Sequence, residues 1–185
     1  MSKVKIEGNA SGTGTFTIAA PNSNTDRTLT LPDEAGTVLT SASNTNFPAG
    51  SVLQVVQGEN STQVATTSSA YSATGTKASI TPTSASSKIL VIFSQNYFST
   101  AAANFPKLRL YRDGSSIRAY EFTGYAGTST LMAYVTGARL DSPATTSSIE
   151  YEIYFNSPTG SNVIANYTDA NGTPVSTITL MEIAA

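Results

Sequence analysis

Glu150 and Glu152 are the residues of this 185-residue chain whose types and spacing come nearest to a catalytic pair. At i and i+2 of one alternating run they would present two carboxylates on one strand face, about 7 Å apart by strand rise. Such a pair can serve as acid and base at a glycosidic bond. The same alternation also makes a plain solvated face, with Glu150, Glu152 and Tyr154 opposite Ile149, Tyr151, Ile153 and Phe155; this second reading is preferred. Asp169-Ala170-Asn171-Gly172 is similar to the opening of a calcium loop, but it lacks a third ligand position and the closing Glu. As a hairpin turn it needs no metal. The chain has no His and no Cys, which removes thiolate chemistry, disulfides and zinc sites of the usual kind. No catalytic residue, metal or cofactor is therefore expected, and the chain is read as no enzyme.

Aromatic side chains offer more. Tyr97, Tyr120, Tyr125 and Tyr134 fall in or beside expected loops, or on faces expected to be exposed, as do Phe98 and Tyr154. Aromatic planes bordered by Asn, Asp and Arg grip sugars, so these four tyrosines are candidate contacts for a glycan or host surface. The competing reading is aromatic packing in the core or between subunits. Lys107, Arg109, Arg112, Arg118 and Arg139 are five of the ten basic residues and cluster in the middle of the sequence. They read as the rims of one sheet, or as a ligand or subunit contact. Net charge is −2 with no basic stripe, so a nucleic-acid footprint is absent. Four Asn-X-Ser/Thr triplets, at Asn9, Asn60, Asn166 and Asn171, are what chance gives in a chain this rich in Asn, Ser and Thr.

The elements that must position these groups read as strands. Val52 to Val56, Lys77 to Ile80, Lys88 to Phe93, Lys107 to Arg112, Ile117 to Phe122, Leu131 to Leu140, Ser148 to Phe155, Asn162 to Tyr167 and Ser176 to Ile183 are short apolar or alternating runs between turn residues. Lys88 to Phe93 is the most apolar and reads as a central strand buried on both faces. Gly137 suggests a bulge. Asp113-Gly114 between alternating runs is a hairpin signal, because Gly accepts positive φ at no steric cost. Residues 58 to 76 read as an extended Ser/Thr/Gln tract anchored by Val64 and Tyr71. About eight strands and no convincing helix predict a sandwich, jelly roll or barrel over 51–185. In the last run Ile178 and Leu180 alternate with Met181 and Ile183, so both faces carry bulk. A terminal strand of this kind is often buried once by its own domain and once by a neighbouring copy.

Charged residues make up 12% of the chain, against about 25% in an average soluble domain, so solubility rests on hydroxyls and amides. Such quiet surfaces suit packing against other subunits. Met1-Ser2-Lys3-Val4-Lys5 has no apolar run behind it, which reads as no signal peptide, and no stretch approaches the roughly 20 apolar residues of a membrane span.

Upstream, Thr15 to Ala19 and Arg27 to Leu31 flank the turn-forming Pro21-Asn22-Ser23-Asn24, and Gly36 to Thr40 follows a second turn. Phe16, Ile18, Leu29, Leu31, Val38 and Leu39 are its only large apolar residues. So little apolar area is marginal alone, and this hairpin arm needs something to lie against. The wording GTFTIAAPNSNTDRTLTLPDEAGTVLT resembles a module common in bacteriophage tail-fibre and related virion proteins, over roughly residues 8 to 43. The resemblance implies an all-β, homotrimeric fibre on the virion surface, assembled in the host cytoplasm. In it, residues 1–45 form an attachment or trimer-contact arm, 46–50 a linker pinned by Phe47-Pro48, and 51–185 a jelly-roll-like β-sandwich. Its partners would be itself, other virion proteins and a host-surface glycan. A capsid decoration (cement) protein or head fibre is the nearest alternative, and a stand-alone carbohydrate-binding sandwich the next.

Overall fold

The computed structural model describes residues 10–15, 17–19, 22–26, 28, 30, 35, 47–101, 104–120, 130–170 and 172–185. The chain divides into two compact units, Met1–Gly36 and Thr37–Ala185. In the first unit no described residue lies in a strand, and Thr25 N–H donates to Ser23 Oγ in a local turn. Ile18 is exposed. Phe16, Leu29, Leu31, Val38 and Leu39 lie outside the described residues, as does the pairing expected of them.

The second unit is a sandwich of ten described strands: β1 Val52–Asn60, β2 Val64–Thr66, β3 Ser72–Ile80, β4 Lys88–Ser99, β5 Leu108–Arg112, β6 Ser115–Tyr120, β7 Leu131–Asp141, β8 Ile149–Phe155, β9 Val163–Ala165 and β10 Ser176–Ile183. Every pairing is antiparallel. The first sheet runs β1-β10-β4-β7, with the short β9 and β2 continuing from the far half of β4; the second runs β3-β8-β5-β6. Leaving aside β2 and β9, this is the strand order of a jelly roll, one of the three forms anticipated from strand spacing. Its core is formed by the inward positions of both sheets, among them Ile89, Val91, Phe93, Leu110, Tyr151, Ile153, Phe155, Ile178 and Leu180.

Local sequence explains most of these elements. Asp113 (φ 46°) and Gly114 (φ 76°) are both left-handed, as a two-residue hairpin between β5 and β6 requires. The expected bulge at Gly137 is absent, and β7 pairs with β4 in unbroken register from Asp141 to Leu131. Glycine stands there because a Cβ would lie 2.6 Å from the Phe93 ring and 2.7 Å from Tyr120. The tract read as merely extended contains β2 and most of β3. Phe47 to Gly50, expected as linker, is tied down: Gly50 N–H donates to the Ala184 carbonyl, and Phe47 lines a small hollow with Leu53 and Ala184.

Three polar clusters brace the sandwich. Asp141 on β7 accepts from Arg112 Nη1 (2.6 Å) on β5 and from Tyr151 OH (2.7 Å) on β8, joining the sheets across the core. Glu182 on β10 accepts from Gln54 Nε2 (2.6 Å), Thr83 N–H (2.7 Å) and Thr83 Oγ1 (2.8 Å), which holds the β3–β4 loop. Burial alone would raise its carboxyl pKa, but the hydrogen bonds from Gln54, Ser87 and Thr83 outweigh that and hold it below the ordinary value. At the other end Ser176 Oγ donates to Asn166 Oδ1 and accepts from Gln95 Nε2 and Asn96 N–H, fixing the β9–β10 connection.

Candidate self-association face

Residues directly opposite each other in an antiparallel pair share a face. Applied to the first sheet, the register places Val52 and Ile183 beside Lys88 in one outer row. Next comes Val55, Met181, Leu90 and Leu140, an apolar row across all four strands. Gln57, Thr179, Ile92 and Ala138 form the third row, and Glu59, Thr177, Ser94 and Thr136 the fourth. Val52 is 53% exposed, Val55 56%, Leu140 49% and Ile92 40%, while Met181, Leu90 and Ile183 are half-buried.

Four strands by seven residues is about 19 Å by about 23 Å, or roughly 400 Å² of face. Eight of the fifteen residues in these rows are apolar, so about half of that face is an apolar patch, and exposed patches of this kind mark contact sites. The polar groups among the rows are amides and hydroxyls, with Lys88 and Glu59 at opposite ends. A surface with one cation and one anion at its two ends can meet another copy of itself without like-charge conflict. In the far half of the same sheet the chain itself covers the outer side of β4, while Met132 and Tyr134 of β7 stay exposed. Tyr167 stacks on Phe98 with centroids 4.2 Å apart, and its N–H donates to Asn96 Oδ1.

The strand Lys88 to Phe93, expected to be buried on both faces, is therefore buried on one. Ile89, Val91 and Phe93 enter the core, whereas Leu90 and Ile92 stand on the open face. An apolar run shows that both faces need cover but not that the same chain supplies it.

The candidate tyrosines scatter. Tyr97 lies within β4, fully buried, and burial pushes its phenol up to about 12. It is no surface contact; the run from Lys88 continues six residues further than expected and carries it inside. Tyr120 is half-buried, edge-on to Phe93 at 4.9 Å, with its OH donating to the Ala138 carbonyl. Tyr134 is exposed on the outer face of β7, opposite Asn96. Tyr125 lies outside the described residues. Tyr97, Tyr120 and Tyr134 form no common site: the first is inside, the second packs on Phe93 and the third stands on the outer face. Glu150 pairs with Lys77 at 3.0 Å on an exposed face, and Glu152 is partly buried, its carboxyl pKa raised by that burial. Asp169 and Gly172 exchange two backbone hydrogen bonds in a tight turn. The sequence reading missed the grouping of Tyr71, Tyr111 and Tyr154 around Arg109; the alternation of β5 and β8 held the signal, but their pairing was needed to align it.

No family model matches the chain, and no curated protein matches it. Among solved structures it is similar to a chain in a structure of infectious bursal disease virus, Gx strain, at 16% identity and a TM-score of 0.37, over 71% of this chain and 37% of that one. It is also similar to dimeric latent PorU from Porphyromonas gingivalis at 12% identity and a TM-score of 0.27, over 76% of this chain and 14% of that one. The chain thus spans well under two thirds of the length of either.

Proposed function

We propose that the chain is a non-enzymatic structural protein of a bacteriophage virion, displayed on the particle surface as a homotrimer. The observation that carries the self-associating part is the open aliphatic face on β1, β10, β4 and β7. Covering it on three copies removes from water the apolar rows that the sandwich leaves exposed, at about 25 cal/mol per Å² of apolar surface buried. The virion setting rests on the resemblance over residues 8 to 43. Residues 1–45 would join the particle or clasp the copies together, and the sandwich would project as a tail-fibre domain. A capsid decoration protein or head fibre is the second reading, favoured because the described residues from 47 onward form one short sandwich without a shaft.

The test is immunogold labelling of purified particles with antibody to residues 51–185, alongside particles assembled with a chain lacking residues 1–45. Label on intact particles that disappears with the deletion supports attachment through the arm, and its position separates tail from head. Particles that carry no label would refute the virion reading.

A further inference from the structure

The outer face of the second sheet has a different chemistry from the first. Register places Tyr154 beside Arg109, with Glu152 beside Tyr111 and Lys77 in the next row. Tyr71, immediately before β3, lies against Arg109, whose guanidinium carbon is 4.2 Å from the ring centroid. Tyr111 and Tyr154 stack at 3.9 Å with 22° between their planes. All four planar groups are half-buried, so part of each stays in solvent.

Three features narrow the ligand. Lys77 and Arg109 balance Glu150 and Glu152, and Lys107 and Asp113 at the two ends of β5 balance each other, so this face carries no net charge to draw a polyanion. None of the large apolar residues exposed among the described ones lies on β3, β5, β6 or β8, so the apolar centre of a protein–protein contact is missing. The Arg109 guanidinium and the Glu152 carboxylate, in adjacent rows, are each only partly buried. Flat aromatic area set beside a guanidinium donor and a carboxylate acceptor, with no net charge, matches a ligand of C–H patches and hydroxyls.

We propose that Tyr71, Arg109, Tyr111, Glu152 and Tyr154 form a binding face for a neutral saccharide. The rings take its C–H surfaces, and Arg109 and Glu152 bond its hydroxyls. The face lies on the sheet opposite the open aliphatic one, so association through the first sheet leaves it accessible. The displayed-protein reading supplies its setting only; binding itself is a property of the single chain.

Saturation-transfer NMR on the full chain tests this with a panel of neutral gluco-, galacto-, manno- and N-acetylglucosamine oligosaccharides, plus one sialylated and one sulfated member. At least one neutral member should receive transfer at its ring protons. Arg109→Gln and Tyr154→Ala should each weaken its binding at least tenfold, and Tyr134→Ala on the other sheet should leave it unchanged. Near-UV circular dichroism checks that the variants are folded; Arg109→Gln fills no core space and stands if Tyr154→Ala fails. The proposal is overturned if no neutral member binds, if only the anionic members bind, or if Arg109→Gln binds like the parent. Native mass is read in parallel: a trimer that binds no saccharide refutes this proposal alone, and a monomer that binds one refutes the assembly reading alone.

Discussion

Replacing Gly58 by alanine sets two effects of opposite sign against each other. Glycine inside a strand is less favourable than alanine by about 0.5–1 kcal/mol, so propensity alone makes Gly58→Ala stabilising. The structure opposes that strongly. A Cβ at Gly58 would lie 1.9 Å from the Lys77 carbonyl oxygen, 2.9 Å from its carbon and 3.2 Å from the Ala78 Cβ. Carbon and carbonyl oxygen ordinarily approach to about 3.3–3.6 Å, so the overlap with the oxygen is about 1.4 Å. Both partners are backbone, β1 in one sheet and β3 in the other, and no rotamer change relieves them. Overpacking that shifts backbone costs about 1–3 kcal/mol or more, and the upper end applies here. After the propensity gain we expect a net loss of about 2–3 kcal/mol, from a total that for domains is about 5–15 kcal/mol. For a domain of this size that lowers Tm by about 4–12 °C, read by thermal unfolding in near-UV circular dichroism. Gly114→Ala is the control: φ is 76° but nothing lies within 4 Å, so only backbone strain of about 1–2 kcal/mol enters. Gly58→Ala as stable as the parent, or more so, would refute the close approach of β1 and β3.

Two further substitutions probe the polar clusters. Asp141→Ala leaves Arg112 and Tyr151 without their shared acceptor; because the Arg112 side chain is 29% exposed, we expect about 2–3 kcal/mol, below the range for a fully buried pair, measured as a lower urea midpoint. Glu182 has a folded-state pKa below its unfolded one, so its contribution is present above the unfolded value near 4.5 and is lost as pH falls through the folded one. Glu182→Gln should therefore flatten the acid limb of a Tm-against-pH curve, and an unchanged limb would exclude this carboxylate as its source.

Much of the sandwich was legible because its signals are local. The Asp113-Gly114 turn, the alternation of Ile149, Tyr151, Ile153 and Phe155, and the bounds of β10 all depend on residues a few positions apart. The full length of β4 and β3 was not legible, since Gln95, Asn96, Thr74 and Thr76 are polar residues that become buried only through partners distant in sequence. The candidate faces divide in the same way. Met181 and Ile183 on the second side of the last strand pointed to an extra contact. The row that joins them to Val55, Leu90 and Leu140 exists only after four strands are placed side by side. Tyr97 misled because the strand was expected to end at Phe93, which put this residue beside a loop, whereas β4 runs on to Ser99 and strand phase turns the side chain inward.

The native mass of the full-length chain, by light scattering or native mass spectrometry, bears most directly on self-association through the open face. We expect three times the 19.2 kDa chain mass, falling to one when Val55→Glu and Leu140→Glu place charges at both ends of the apolar row. A parent chain that runs as a clean monomer would contradict the account. So would a trimer that survives both substitutions, since its contacts would then lie elsewhere.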